Sequence, residues 1–589
     1  MFGARFDDII NGKSFELVNG ITTLCARATS EVPAVLAAAQ DAAAEGRWVA
    51  GYLTYEAAPA FDEALVVNNS NSAVLAWFGV FGDRREVAAA VHDPAVSDAY
   101  ALSQWMPRLN RDQYGEAFEA VQRHILEGDT YQVNLTFALH AAFTGDPGVF
   151  YNDLVCAQRP RYAAHIWHDD THLLSVSPEK FFTVTGRVIE TQPMKGTAPR
   201  GRTMEEDLAY RDALMESEKD VAENLMIVDL IRNDIGKIAK PGSVATSNLF
   251  NVEQYRTVWQ MTSAVTAKLQ DDASLGDVFK ALFPCGSVTG APKPRSMEII
   301  ADLENGPRGA YCGAVGFVPP GDGLDGASFN VAIRTVEIDD AEGVARYGVG
   351  GGVTWDSTVD REFDEAVTKF EVLRFDVSPM ALTEAIRWDS GWWSLDAHLD
   401  RLETSSMYWS FVFDRARVRR ALKDHESELL VPSKVRIVSS PDGEIDITTD
   451  AATKRWSKGP GPSTDPVTLS IDTDPIDDLN PRVYHKTTDR RAIDVRLKRH
   501  SDCDDILMVN RLGRITESSI ANVAFLIEGE WLTPPVLDGL LGGVLRSQLV
   551  NDGSLTERSI TIREALSADA VALVSAVRGW RPAVIVKEP

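Results

Sequence analysis

The chain changes composition once, across the short linker 376–380, and this break constrains the fold more than any other feature. A chain of 589 residues is too long for one hydrophobic core, because cores stop growing at about 250–300 residues and longer chains divide. The break therefore marks two large halves, residues 1–375 and 381–589. In the first half, residues 1–100 read as a scaffold of short alternating strand and helix patterns, and residues 101–375 carry the candidate chemistry. Periodicity predicts an alanine-rich helix from Pro33 to Glu45 and a strand from Trp48 running into a turn at Glu56. It predicts an amphipathic helix from Arg111 to Glu127, stopped by Gly128-Asp129 and followed by a strand over residues 130–136. One long helix is expected from Asp212 to Ile231 and another from Asp360 to Leu373. A polar turn at residues 68–72 and a Gly/Pro/Ser-rich loop at 458–466 punctuate the two halves.

Charge narrows the partners. A formal net charge of −27 sets the surface against nucleic acid and anionic membranes. Small anionic ligands then need local basic pockets. No apolar run reaches membrane-spanning length, and the stretch Met1–Asp8 has no secretory pattern. Cys25, Cys156, Cys285, Cys312 and Cys503 are odd in number and form no CxxC pair. Reduced thiols in a cytoplasmic protein are the expectation.

The stretch Gln192-Pro193-Met194-Lys195-Gly196-Thr197-Ala198-Pro199-Arg200 holds the first candidate for chemistry. Proline stiffens the approach to Lys195 and glycine follows it, so the backbone is bent and can come close to a ligand. A lysine on such a turn is a nucleophile if its surroundings keep it neutral; alone, it would be an exposed loop lysine. Upstream stand Ser177-Pro178-Glu179 and the strand-like run Phe181–Val184, with an expected hairpin between Glu179 and Lys195. Downstream are Ala222-Glu223-Asn224 and the Met-x-Val-Asp-Leu run that follows it inside the helix expected at 212–231, Gly286-Ser287-Val288-Thr289-Gly290-Ala291-Pro292-Lys293 opening another helix, Tyr311, Arg334, and Gly350-Gly351-Gly352. Glu362, Glu365 and Lys369 share one helix face.

Taken together these strings resemble the chorismate-utilising enzymes, in the branch that aminates chorismate on the way to 4-aminobenzoate. The anthranilate-forming branch has alanine where Lys195 stands. The resemblance implies an α+β half with large antiparallel sheets packed together and flanked by helices. It implies Lys195 as covalent nucleophile, Glu179 as general acid, and Glu223 and Glu365, with Glu362 close by, as ligands of Mg2+. Ser287, Thr289, Gly290, Ala291, Lys293, Tyr311, Arg334, Gly350 and Gly352 are implied to bind chorismate, with Arg334 in a two-pronged contact to a carboxylate. The strand at 130–136 is a core strand in that family, which implies Gln132 and Asn134 as scaffold. One departure is Gln260, where many relatives have histidine; if that histidine binds or polarises the substrate, Gln260 can still hydrogen-bond there but cannot carry protons. No cysteine stands in a Gly-x-Cys-x-Gly elbow, so ammonia would come from solution or from a separate glutamine amidotransferase subunit.

Past the break, the residues His398 to Arg401, Tyr484-His485-Lys486-Thr487, Glu517 in Ile515-Thr516-Glu517-Ser518-Ser519, and Leu541-Gly542-Gly543-Val544-Leu545-Arg546 resemble the class IV aminotransferase family of pyridoxal-phosphate enzymes, most of all its aminodeoxychorismate lyases. A two-lobed α/β fold is implied, with a possible dimer through this half. Lys486 would be the Schiff-base lysine and Glu517 the partner of the pyridine nitrogen. Arg401, Gly543, Val544, Leu545 and Ser575 would hold the phosphate, in part at a helix start. Ala385 departs from the threonine found in many relatives. Against this combined reading stand an isochorismate, salicylate or anthranilate synthase in the first half and an amino-acid aminotransferase, or a docking module, in the second.

Overall fold

The computed structural model describes residues 2–68, 74–452, 457, 459, 460 and 465–587. Most of the polar turn at 68–72 and of the loop at 458–466 lies outside the described residues. The chain forms two compact units, Met1–Arg200 with Tyr210–Ser378, and Gly201–Ala209 with Pro379–Pro589. A break read at 376–380 does not foresee that the segment Gly201–Ala209 joins the second unit. Tertiary contacts place it there: Tyr408 donates its hydroxyl to the Gly201 carbonyl at 2.7 Å, and the Arg202 guanidinium lies 5.8 Å over the Tyr484 ring.

The first unit is built on antiparallel strands in one continuous succession. Val258–Lys268 pairs with Ala245–Gln254, Met194–Pro199 and Val188–Gln192. Pairing continues through Lys180–Thr185, Ser328–Val331, Ala314–Val318, Trp48–Leu53, Ala76–Glu86, Lys13–Ala26 and Phe2–Asp8. It ends through Tyr162–His168, Thr171–Ser177, Thr335–Asp339 and Val344–Val353 on Gln132–Gly145. Period-two alternation buries both faces of the central strands. In Trp48–Leu53, Val49 and Leu53 face a core shared with the helices Val32–Ala44, Glu218–Gly236 and Leu275–Leu282, while Ala50 and Tyr52 face a second core. That second core, with Phe6, Phe15, Trp77, Phe81, Ile166 and Leu173, is made by strands closing on strands. The helices Arg111–Leu126, Pro147–Gln158 and Val359–Phe370 cover a third. Packed antiparallel sheets flanked by helices are the expected fold.

One element differs from its sequence reading. In place of a single helix from 212 to 231 there are two, Met204–Glu216 and Glu218–Gly236. Ser217 sits between them in extended conformation and caps the second, its hydroxyl accepting from the Asp220 amide at 3.2 Å; such a cap stabilises a helix start by about 1 kcal/mol. The buried face of the second helix is Asn224, Ile227, Val228, Ile231 and Ile235, while Leu225 is exposed. Glu223 is thereby carried at the rim of a buried face, one turn from the helix N-terminus.

The second unit has two lobes. A three-stranded antiparallel sheet, Leu382–Trp388, Ser433–Ser439 and Ile445–Ala451, carries the helices Leu395–Trp409 and Arg415–Glu426. The other lobe is an eight-stranded mixed sheet in which Val467–Asp472 runs parallel to both Asp505–Val509 and Gly579–Lys587. Leu469, Leu507, Ile515, Val523, Phe525 and Leu573 form its core. All five cysteines are free thiols, and no helix among the described residues is long and apolar enough to cross a membrane.

Candidate active sites

Lys195 lies on a β-bulge. In the pairing of Met194–Pro199 with Val258–Lys268, Met194 faces Thr262 and Thr197 faces Gln260, so two residues, Lys195 and Gly196, oppose one. A bulge re-aims a side chain, and Gly196 takes φ +90° to make it. The Lys195 side chain lines a cavity of about 110 Å³ that also meets Glu179, Glu223, Ser287, Tyr311, Arg334, Gly350, Gly352, Glu362 and Glu365. Gly352 is required there: a Cβ at this position would stand 2.0 Å from Gln132 Nε2 and 2.7 Å from Lys195 Nζ.

Glu179 is 2 % exposed and accepts the Ser287 hydroxyl at 2.6 Å. Burial pushes its carboxyl up to about 7. Burial also pulls the Lys195 amine below the usual lysine range, against the opposing pull of Glu223. Both shifts move toward one pairing of states, a protonated acid and a neutral amine. Arg334 is 6 % exposed with Nη1 buried and without a hydrogen-bond partner, and Gln132 Oε1 is likewise unpaired. A buried guanidinium on the wall of a cavity asks for an anion.

At the other side of the cavity stand three carboxylates and two ammoniums. Lys219 Nζ lies 3.6 Å from Glu223 Oε1 and 3.7 Å from Glu362 Oε1. Lys369 Nζ lies 2.8 Å from Glu365 Oε1 and donates to the Gly350 carbonyl at 2.7 Å. Burial raises the carboxyls of Glu223 and Glu362. Burial works upward on Glu365 too, but the Lys369 ammonium prevails and holds it low. Two carboxylates converging on one cation are a donor set that suits a hard divalent ion. The pair that converges is Glu223 with Glu362; Glu365 is engaged by Lys369.

Four expected substrate residues are not in the cavity. Lys293 is buried with its ammonium 3.1 Å from Asp234 Oδ2 and 3.2 Å from the Leu282 carbonyl, so its charge is spent inside the protein. Gly290 and Ala291 pair with the strand Gln132–Gly145, and Thr289 donates to the Cys285 carbonyl at 3.2 Å. These residues shape the loop that presents Ser287. Conversely, Asn134, Lys219, Gln260 and Tyr347 line the cavity; Asn134 also donates its amide to the Val288 carbonyl at 3.1 Å, a contact that holds the neighbouring loop.

In the second unit a cavity of about 510 Å³ is lined by Arg401, Lys486, Glu517, Gly543, Val544 and Ser575, together with His398, Lys434, Arg436 and Arg578. Leu545 turns instead into a core with Leu549 and Trp580. Gly543 is tight against its neighbour, since a Cβ there would meet Asn522 Oδ1 at 2.0 Å. Arg401 is held by Glu384 through two bonds of 2.7 and 2.8 Å, and Glu384 also pairs with His398 Nδ1 at 2.8 Å. The Arg401 guanidinium and the hydrogen bond from His398 hold the Glu384 carboxyl well below the usual range in spite of its burial. His398 Nε2 is buried without a partner. Glu517 accepts the Leu541 amide at 3.1 Å and the Asn522 amide group at 3.2 Å, and burial pushes it up to about 8. Burial lowers Lys486, and the nearby Arg401 adds to it. An acid short of a cation, a lysine held toward its neutral form and an orphaned imidazole beside Arg401 fit the pyridinium, aldehyde and phosphate of pyridoxal phosphate.

A family model for chorismate binding enzymes matches residues 13–374, and one for amino-transferase class IV matches residues 381–586. Aminodeoxychorismate synthase component 1 of Klebsiella aerogenes is 40% identical over 276 residues, 47% of this chain and 60% of that protein. Its counterpart in Escherichia coli K12 is 38% identical over 311 residues, 52% of this chain and 67% of that protein. The chain thus covers 60% and 67% of the lengths of these two relatives. Anthranilate synthase component I from Streptococcus pneumoniae TIGR4 superposes with a TM-score of 0.51 at 23% identity, over 64% of this chain and 90% of that one, a likeness of fold. With the family match extending from residue 13 to 374, more than half its length, the chain belongs to the chorismate binding enzymes.

Proposed function

We propose that the first unit aminates chorismate at C4 and that the second unit removes pyruvate from the product to leave 4-aminobenzoate. The observation that carries this is the placing of the Lys195 amine and the Glu179 carboxyl on one cavity, with burial favouring the uncharged form of each. Neutral Lys195 forms a bond to C2 of chorismate as both ring double bonds shift, C1=C2 to C1=C6 and C5=C6 to C4=C5, and the C4–O bond breaks. Glu179 gives its proton to the departing hydroxyl, which leaves as water. Ammonia then bonds to C4, both double bonds shift back, and the C2–N bond breaks to return the lysine. Arg334 anchors a carboxylate. Glu223 and Glu362, with Glu365, would hold Mg2+, which supplies positive charge for the other carboxylate. The relatives named as component 1 support a separate amidotransferase partner as the source of ammonia.

In the second unit Glu517, Lys486, Arg401, His398 and Gly543 would hold pyridoxal phosphate, which when bound supplies an electron sink. Glu517 would face the pyridine nitrogen and keep it protonated. Lys486, its charged form disfavoured by burial, takes the C4 proton of the aminated ring. The C3–O bond then breaks, the enolpyruvyl group departs as pyruvate, and the ring becomes aromatic.

The test is incubation of the purified chain with chorismate, ammonium, Mg2+ and pyridoxal phosphate. 4-Aminobenzoate and pyruvate in equal amounts are expected. Anthranilate, isochorismate or salicylate would overturn the first half of the proposal. Accumulating aminodeoxychorismate with no pyruvate would overturn the second.

A further inference from the structure

The bulge that carries Lys195 leaves backbone carbonyls that the sheet ladder does not take up. Each is met by a specific donor. The Lys195 carbonyl accepts Asn224 Nδ2 at 3.4 Å. The Gly196 carbonyl accepts Gln260 Nε2 at 2.8 Å, while Gln260 Oε1 accepts the Thr197 hydroxyl at 3.1 Å. Gln260 is 5 % exposed. One amide therefore clasps the two residues that follow Lys195, using its donor on one and its acceptor on the other. Its orientation is fixed by this pattern, because a flipped amide would set carbonyl against carbonyl. Gly196 needs the clasp: it is held at φ +90°, against Asp220, and has no side chain to pack.

We infer that Gln260 is a positioning residue for Lys195, fixing the bulge so that the amine points into the cavity and toward the reacting carbon. This inference rests on the proposed amination for its kinetic consequence, but its geometric content does not. Gln260 has no ionisable proton, so its part is to hold the chain, not to carry protons. The task needs one donor and one acceptor at this spot. Glutamate supplies both only while protonated; once ionised it opposes the Gly196 carbonyl with a second acceptor. Leucine has the bulk and neither function.

The experiment uses the full chain with ammonium, Mg2+ and chorismate, reading amination. Gln260→Leu should lower kcat about a hundredfold, the order expected for an amine displaced by about 1 Å, with the KM for chorismate changed less than threefold. For Gln260→Glu, kcat relative to the unsubstituted protein should be near one at about pH 6.5 and fall at least tenfold by about pH 9, since a buried glutamic acid loses its proton in that range. A role in general stability alone would give no such pH-dependent rescue. Independently of any turnover, peptide mapping of Lys195 after limited treatment with an amine-acylating reagent should show a several-fold changed labelling rate in Gln260→Leu. If the unsubstituted protein does not aminate chorismate, the functional proposal fails, and the labelling arm still decides the clasp. If it does aminate, and Gln260→Leu keeps kcat within twofold, or the Gln260→Glu ratio does not fall with pH, the inference is overturned. Unchanged Lys195 labelling overturns it as well.

Discussion

Gly352→Ala puts the proposed nucleophile to a steric test. Gly352 pairs with Asn134 in the strand register, and its backbone lies outside the left-handed region, so alanine costs nothing in φ. The added methyl would lie 2.0 Å from Gln132 Nε2 and 2.7 Å from Lys195 Nζ, where ordinary contact begins at 3.4 Å. The Gln132 amide must then withdraw by about 1.4 Å and the lysine amine by about 0.7 Å (3.4 less each distance). A displacement near 1 Å from attack geometry is worth about a hundredfold in rate, or about 2.7 kcal/mol of activation free energy. Overpacking of this kind costs about 1–3 kcal/mol of stability. Gly351→Ala is the matched control. Its methyl would meet the flexible ends of Glu362 at 3.0 Å, Glu365 at 3.8 Å and Lys369 at 3.9 Å, so it should alter the Mg2+ requirement and leave kcat at saturating Mg2+ within a few fold. Steady-state amination with ammonium, alongside melting temperatures, reads both. If Gly352→Ala keeps kcat within threefold, the amine at 195 is not where the reaction happens.

Three further outcomes follow from the same groups. Glu179 must be protonated to act, so kcat/KM for amination should fall as pH rises through about 7. The Ser287 hydroxyl favours the ionised form of that acid, so Ser287→Ala should move this limb to higher pH; a limb that moves down or stays refutes the assignment. Glu517 has a folded-state value raised to about 8 from 4.5, so the folded protein binds the extra proton between those values and its stability falls as pH rises through that window. Cofactor-free Glu517→Gln should therefore gain melting temperature over the unsubstituted protein at pH 8 and much less at pH 5, and lose the normal absorbance of bound pyridoxal phosphate; an equal difference at both pH values contradicts the burial argument. Lys293→Met should cost about 3 kcal/mol at most, because Lys237 remains 2.8 Å from Asp234; the KM for chorismate should stay within twofold, and a tenfold rise would return Lys293 to the substrate site.

The sequence discloses what is local and withholds what is paired at a distance. Pro193, Gly196 and the strand-like runs around Glu179 mark a bend and a hairpin by residue type alone. The bulge itself has no such mark, because it exists only against Val258–Lys268, a strand far along the chain. For the same reason Gln260 reads as a substituted catalytic position, when its contacts are to the backbone beside Lys195. Lys293 misleads because a charge in a glycine-rich string reads as a ligand; its partner, Asp234, comes from another helix. Lys369 is visible only as an ordinary helix pair with Glu365, four residues away, and Lys219 carries no signal of its own, its link to Glu362 lying in the tertiary fold. In the second unit Lys486, Glu517 and Gly543 are legible from ordered strings. The Glu384–His398–Arg401 cluster is not, because it joins a strand to a helix across a sequence gap that carries no periodic signal.

The most direct test of covalent amination is mass spectrometry of the protein held with chorismate and Mg2+ in the absence of ammonia. An adduct of chorismate less one water is expected on the peptide containing Lys195, discharged to aminodeoxychorismate when ammonium is added and absent from Lys195→Ala. Full aminodeoxychorismate formation by Lys195→Ala, with no adduct ever found on the unsubstituted chain, would contradict it.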